Sequence, residues 1–138
     1  MMKQFFFLCI FILTLTSCSV SDDSSDSYNY DFLPIESVDI PEQFVHGETY
    51  EINLSYIRPT GCHVFNNIYY QPNQNQANIA IINTVYTNQD CQQDLNELVE
   101  VSFNFKANSY DNYVFRFWQG EDDNGNDLYY IVEVPVVE

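Results

Sequence analysis

A period of two limits this chain more than any other feature. Tyr50, Ile52, Leu54 and Tyr56 alternate with Glu51, Asn53 and Ser55, and Val99, Val101, Phe103 and Phe105 alternate with Glu100, Ser102, Asn104 and Lys106. Successive side chains leave a strand on opposite faces, so each set has an apolar face for a core and a polar face for water. A helix would scatter both sets around its surface. Weaker alternation marks strands over 35–40, 64–71, 78–87, 113–119 and 128–137. The stretches between them, 41–47, 59–61, 72–76, 88–94, 107–112 and 121–126, hold Pro, Gly, Asn and Asp and read as turns. Residues 90–97 also allow a single helical turn.

Strands of this number and spacing in about a hundred residues suggest an all-β fold, an antiparallel β-sandwich of immunoglobulin-like type with about seven strands over residues 32–138. Tyr113-Val114-Phe115 resembles a tyrosine corner, with Phe115 where antibody domains carry a cysteine. That resemblance is architectural and implies no activity.

Ahead of the domain lies an address. Lys3 precedes an apolar run, Phe5 to Leu15, which is of signal-peptide length and too short for a bilayer-spanning helix of ~20 residues. Leu15-Thr16-Ser17-Cys18 closes it and resembles the lipobox of bacterial lipoproteins. The resemblance implies removal of residues 1–17, acylation of Cys18, and attachment to the outer membrane by more than one acyl chain. Residues 18–31, with Ser21-Asp22-Asp23-Ser24-Ser25-Asp26-Ser27, read as a disordered acidic tether reaching at most ~45–50 Å. Its serine and acidic content is similar to the signal that sends lipoproteins of the Bacteroidota to the cell surface. Over the folded region, the run from Tyr56 to Phe65, Cys91, Phe115-Arg116-Phe117-Trp118-Gln119-Gly120 and the ending Val132-Glu133-Val134-Pro135-Val136 look like small uncharacterised surface lipoproteins of that phylum. They supply no activity to carry over.

Charge and cysteines narrow the function. The chain carries 20 acidic residues against four Lys and Arg, a net charge of −16 that becomes more negative when Lys3 leaves with the leader. Such a field repels phosphate backbones, so nucleic acid is not an expected partner. Cys9 leaves with the leader and Cys18 takes lipid, which leaves Cys62 and Cys91 to form a disulfide in an oxidising compartment. They lie in loops that fall at one end of the proposed sandwich. Metal ligation is the alternative, but two isolated cysteines and His63 fall short of a structural zinc set.

No nucleophile and base are arranged by a recognisable motif, and the two histidines, His46 and His63, read as a turn residue and as a neighbour of a half-cystine. The expectation is a non-catalytic binding module. Its candidate face is the outward side of the last two strands: Val114, Arg116, Trp118, Tyr129, Ile131 and Glu133, suited to a protein or glycan partner. A two-residue turn on Asn124-Gly125 would set Phe117 opposite Val132, Phe115 opposite Val134, Tyr113 opposite Val136, Arg116 opposite Glu133, Trp118 opposite Ile131 and, against charge, Asp122 opposite Asp127. Glu121, Asp122, Asp123, Asn124 and Asp127 are oxygen donors of the kind calcium takes, although the EF-hand spacing is absent. Calcium-assisted glycan capture, protease inhibition through the loop at 71–77, and a structural envelope role remain alternatives.

Overall fold

The computed structural model describes residues 27–138, and the expected leader, Cys18 and the tether up to Asp26 lie outside the described residues. The described chain is all-β, with no helix, and the Cys62–Cys91 disulfide is formed.

The strands are β1 (Tyr28–Leu33), β2 (Ile35–Asp39), β3 (Phe44–Val45), β4 (Thr49–Arg58), β5 (His63–Asn73), β6 (Gln76–Tyr86), β7 (Glu97–Lys106), β8 (Tyr113–Glu121), β9 (Asp127–Val134) and β10 (Val136–Val137). The two most regular alternations form one antiparallel ladder, β4 on β7, in unbroken register from Thr49 opposite Lys106 to Arg58 opposite Glu97. With β2 on its other edge, β4 is the centre of a three-stranded sheet. Ser55, on the polar side of the pattern, is nonetheless buried, and its hydroxyl meets that of Ser37 at 2.5 Å.

A five-stranded sheet faces it. Strand β6 is the hub: β5 pairs along one edge, while the other edge is shared by β1, antiparallel over residues 81–86, and β8, parallel over residues 76–79. β9 pairs outside β8. Ile52, Leu54 and Tyr56 from one sheet meet Ile79, Ile81, Phe115, Phe117 and Val134 from the other in a single core. Each such buried side chain contributes roughly 1.5–3 kcal/mol relative to exposure.

Several expectations are corrected. The tether does not extend to Asp31, because residues 28–31 belong to β1; Tyr28, Tyr30 and Phe32 alternate along a strand whose ladder to β6 supplies the backbone partners a tether lacks. Pro34, with no N–H to donate, ends that ladder, and the chain crosses at Ile35 into the opposite sheet. The turn at 41–47 contains β3, which pairs in parallel with β10 and buries Phe44 completely, against Tyr50, Phe105, Tyr113 and Phe115. The strand expected over 128–137 is broken at Pro135 for the same lack of a donor. With β6–β8, this makes two parallel pairings where antiparallel ones alone were expected. No helical turn forms at 90–97: Asp94 and Asn96 adopt positive φ, and the N–H groups of Leu95 and Asn96 donate to the Pro59 carbonyl.

The tyrosine corner has the expected geometry. Tyr113 Oη accepts from the N–H of Ser109, four residues upstream, at 2.8 Å. The disulfide ties the β4–β5 turn to the β6–β7 loop with a Cα–Cα distance of 5.4 Å, at one end of the molecule as its loop positions implied.

Candidate functional site

The hairpin β8–β9 fixes which side chains look outward, and its register differs from the simple one. Asn124-Gly125 is not a two-residue turn, since only Gly125 has positive φ, at 78°. Gly125 N–H donates to the Asp122 carbonyl and Asp122 N–H to that of Asn126, a wider loop of type I form closed by a left-handed glycine. That loop sets Glu121 opposite Asp127, one position from the simple register, and would turn every side chain to the wrong face. A bulge between Trp118 and Glu121, where Gly120 takes φ of 100°, adds a second residue of shift and restores the faces. Phe117 therefore lies opposite Tyr130, Phe115 opposite Val132, Tyr113 opposite Val134, Arg116 opposite Ile131, and Trp118 opposite Tyr129.

The shift by two keeps all six candidate residues, Val114, Arg116, Trp118, Tyr129, Ile131 and Glu133, on the outward face. Their contacts change. Arg116 does not pair with Glu133; its guanidinium lies 4.4 Å from the centroid of the Tyr129 ring, while Glu133 accepts from Asn112 Nδ2 at 2.9 Å. Trp118 Nε1 donates to Asp127 Oδ1 at 2.8 Å, and Tyr129 Oη to Asp127 Oδ2 at 3.4 Å. Burial, then the Asp127 carboxylate, pushes the Tyr129 phenol above its ordinary pKa, with Arg116 opposing. The Trp118 end of the face and the Ile131–Glu133 end are separate neighbourhoods.

At the Trp118 end the structure adds residues that lie far away in sequence. Phe32 of β1 packs edge-to-face on Trp118 (centroids 6.4 Å) and on Tyr69 of β5 (5.7 Å). Tyr69 sits opposite Ala80 of β6, whose small side chain is 5% exposed beneath these rings although it points away from the main core. With Tyr30, Gln71, Asn78, Tyr129, Glu121 and Asp127 they line an open groove of about 550 Å³. The alternation of Tyr28, Tyr30 and Phe32 was the sequence signal for the missing wall, masked by the acidic residues around it.

The acidic loop is organised by its own hydrogen bonds. Asp122 Oδ1 accepts from the N–H groups of Asn124 and Asn126, and both of its oxygens from Asn126 Nδ2. The Asn126 side chain, followed by the backbone donors, holds the Asp122 carboxyl below its ordinary value of 3.8. Asp127 turns to Trp118 and Tyr129 instead. Glu121, Asp122, Asp123, Asn124 and Asp127 are thus not assembled as a ligand set, and no three His, Cys, Asp or Glu side chains among the described residues group to hold a metal.

The histidines serve as connectors. His63 is buried, with Nδ1 2.8 Å from Thr60 Oγ1 and Nε2 3.4 Å from Asp31, which clamps β1 to the turn before β5. Thr60 Oγ1 also accepts from Cys62 N–H. His46 stacks on Tyr110 at 3.8 Å. The loop considered for protease inhibition is the tight end of the β5–β6 hairpin, turning at Gln74 and Asn75 with Gln74 at φ 57°.

Comparison of the chain with protein-family models, with curated proteins and with solved structures gave no match.

Proposed function

We propose that this protein is a lipid-anchored protein of the outer membrane, displayed at the cell surface, that works as a non-catalytic binding module through the outward face of its five-stranded sheet. The observation that carries the reading is the groove: Phe32, 47% exposed, and Tyr69, 36% exposed, stand with the half-buried Trp118 over Ala80, and a carboxylate fixes the indole. Rigid aromatic side chains at a concave surface supply contact area at low entropic cost, which is what a recognition site needs. The anchor rests on the lipobox resemblance at Cys18 and the acidic serine-rich segment after it.

Two experiments test the two halves. Metabolic labelling with an alkynyl fatty acid should tag the protein and send it to the detergent phase, both effects being lost in Cys18→Ala; an untagged, water-soluble wild type would remove the anchor. Tryptophan fluorescence reads the face directly, because Trp118 is the chain's one tryptophan. A ligand panel that leaves its emission unchanged while binding elsewhere on the protein would remove the face.

A further inference from the structure

We infer that the Trp118 groove takes a cationic side chain, arginine or lysine, from a basic peptide segment. This rests on the reading that the outward face of the five-stranded sheet is the binding surface, and adds the chemistry of its occupant.

Glu121 and Asp127 are directly opposite each other in the β8–β9 ladder and both line the groove. Like charges in that relation destabilise a sheet. Neither has an ion-pair partner among the described residues: Arg58 pairs with Glu97, His63 lies by Asp31, Arg116 lies on Tyr129, and Lys106 belongs to β7 in the three-stranded sheet. Both oxygens of Asp127 accept from aromatic donors, so its charge is oriented, while Glu121 is exposed and its carboxylate has no side-chain partner among the described residues. A positive group between them would relieve the repulsion.

The walls suit the same group. Aromatic faces carry negative potential and attract cations, guanidinium above all. Within this face Arg116 already stacks on Tyr129, so the surface holds an arginine of its own beside the groove. Phe32, Tyr69 and Trp118 over the small floor residue Ala80 leave room for an aliphatic stem, with the charged head at the Glu121–Asp127 end. The outward residues of β8 and β9 hold three carboxylates, Glu121, Asp127 and Glu133, against one guanidinium, Arg116. An anionic ligand would be repelled, and a neutral glycan would leave the facing carboxylates uncompensated. The charge of −16 over the whole chain would steer a basic partner from a distance.

The test is a titration of the full chain, followed by Trp118 emission, with three probes: a blocked pentapeptide with central arginine among glycines, the same peptide with citrulline, which keeps the shape and loses the charge, and maltohexaose. The arginine peptide should produce a saturable change, weakened several-fold between low and physiological salt. The citrulline peptide should bind roughly ten-fold more weakly or worse, as expected for loss of one charge-assisted contact. The double variant Glu121→Gln with Asp127→Asn should lose the arginine peptide while its thermal midpoint stays level or rises, since a like-charge pair has gone. Ala80→Leu, which fills the floor, should block the peptide as well. Equal affinity for arginine and citrulline, or an arginine affinity untouched by the double variant, overturns the proposal. Maltohexaose binding that Ala80→Leu abolishes and the double variant spares overturns the cation and keeps the face. Silence of Trp118 to all three probes at ~10 mM, far above the ~1 mM expected of one good contact, overturns the cation proposal outright.

Discussion

Opening the Cys62–Cys91 bridge is the perturbation whose size follows most directly from the structure. The bond closes a chain segment of 29 positions and joins two loops at one end of the molecule, with the main core elsewhere. In the double variant Cys62→Ala with Cys91→Ala, the folded state keeps both sheets, because β5 still pairs with β6 and β4 with β7. The loss falls on the unfolded chain, which regains the entropy of an open loop. For a loop of this length the chain-entropy relation gives about 3.6 kcal/mol. Cys62 is buried, so removing its sulfur adds a small packing loss in the same direction. With an m-value of about 1–1.5 kcal/mol/M in urea, the midpoint should fall by roughly 2.5–3.5 M without a change in slope beyond that of a more expanded unfolded chain. Circular dichroism at equilibrium measures it. A loss below ~1 kcal/mol would show that loop entropy in the unfolded chain is not what the bridge contributes.

Other expectations follow from single contacts. Phe117→Ala removes a fully buried ring from the shared core and should cost about 3–5 kcal/mol in urea unfolding, against near neutrality for an exposed residue such as Ile131. Tyr113→Phe deletes the acceptor for Ser109 N–H while keeping the ring on Phe105, so the loss should be about 1–2 kcal/mol. The Asp122 carboxyl, whose folded pKa is depressed, stabilises the loop above its ordinary titration range and stops doing so as pH falls through the lowered folded value. Carbon-detected NMR should place its midpoint below 3.8, and Asn126→Ala should move it back toward that value.

The fold was legible where a strand carries its own signal. β4 and β7 alternate cleanly because each has one face in the core and one in water, and their ladder sets apolar residues opposite apolar ones, Tyr50 with Phe105 and Leu54 with Val101. β1 and β3 were not legible, for two physical reasons. β1 is held by the edge of β6 and leaves Tyr30 and Phe32 exposed, so its apolar residues look like those of a tether with stray aromatics. β3 is two residues long, and Phe44 is buried by long-range packing that no local period records. The candidate site divides in the same way. All six outward residues of the last hairpin lay on the expected face, since a register shift of two preserves the period. Their neighbours did not follow, because a glycine in a turn and another in a bulge each moved the register by one. Phe32, Tyr69 and Ala80 reach the groove through β1–β6 and β5–β6 pairing, a relation between strands and not within one.

The most direct test of the binding face is chemical-shift mapping of the isotope-labelled protein during titration with the arginine peptide. Perturbations should centre on Phe32, Tyr69, Ala80, the Trp118 indole N–H and the Glu121–Asp127 pair, with little change across β2, β4 and β7. Perturbations centred on the three-stranded sheet, or spread evenly over the surface in proportion to exposed carboxylates, would contradict the binding face.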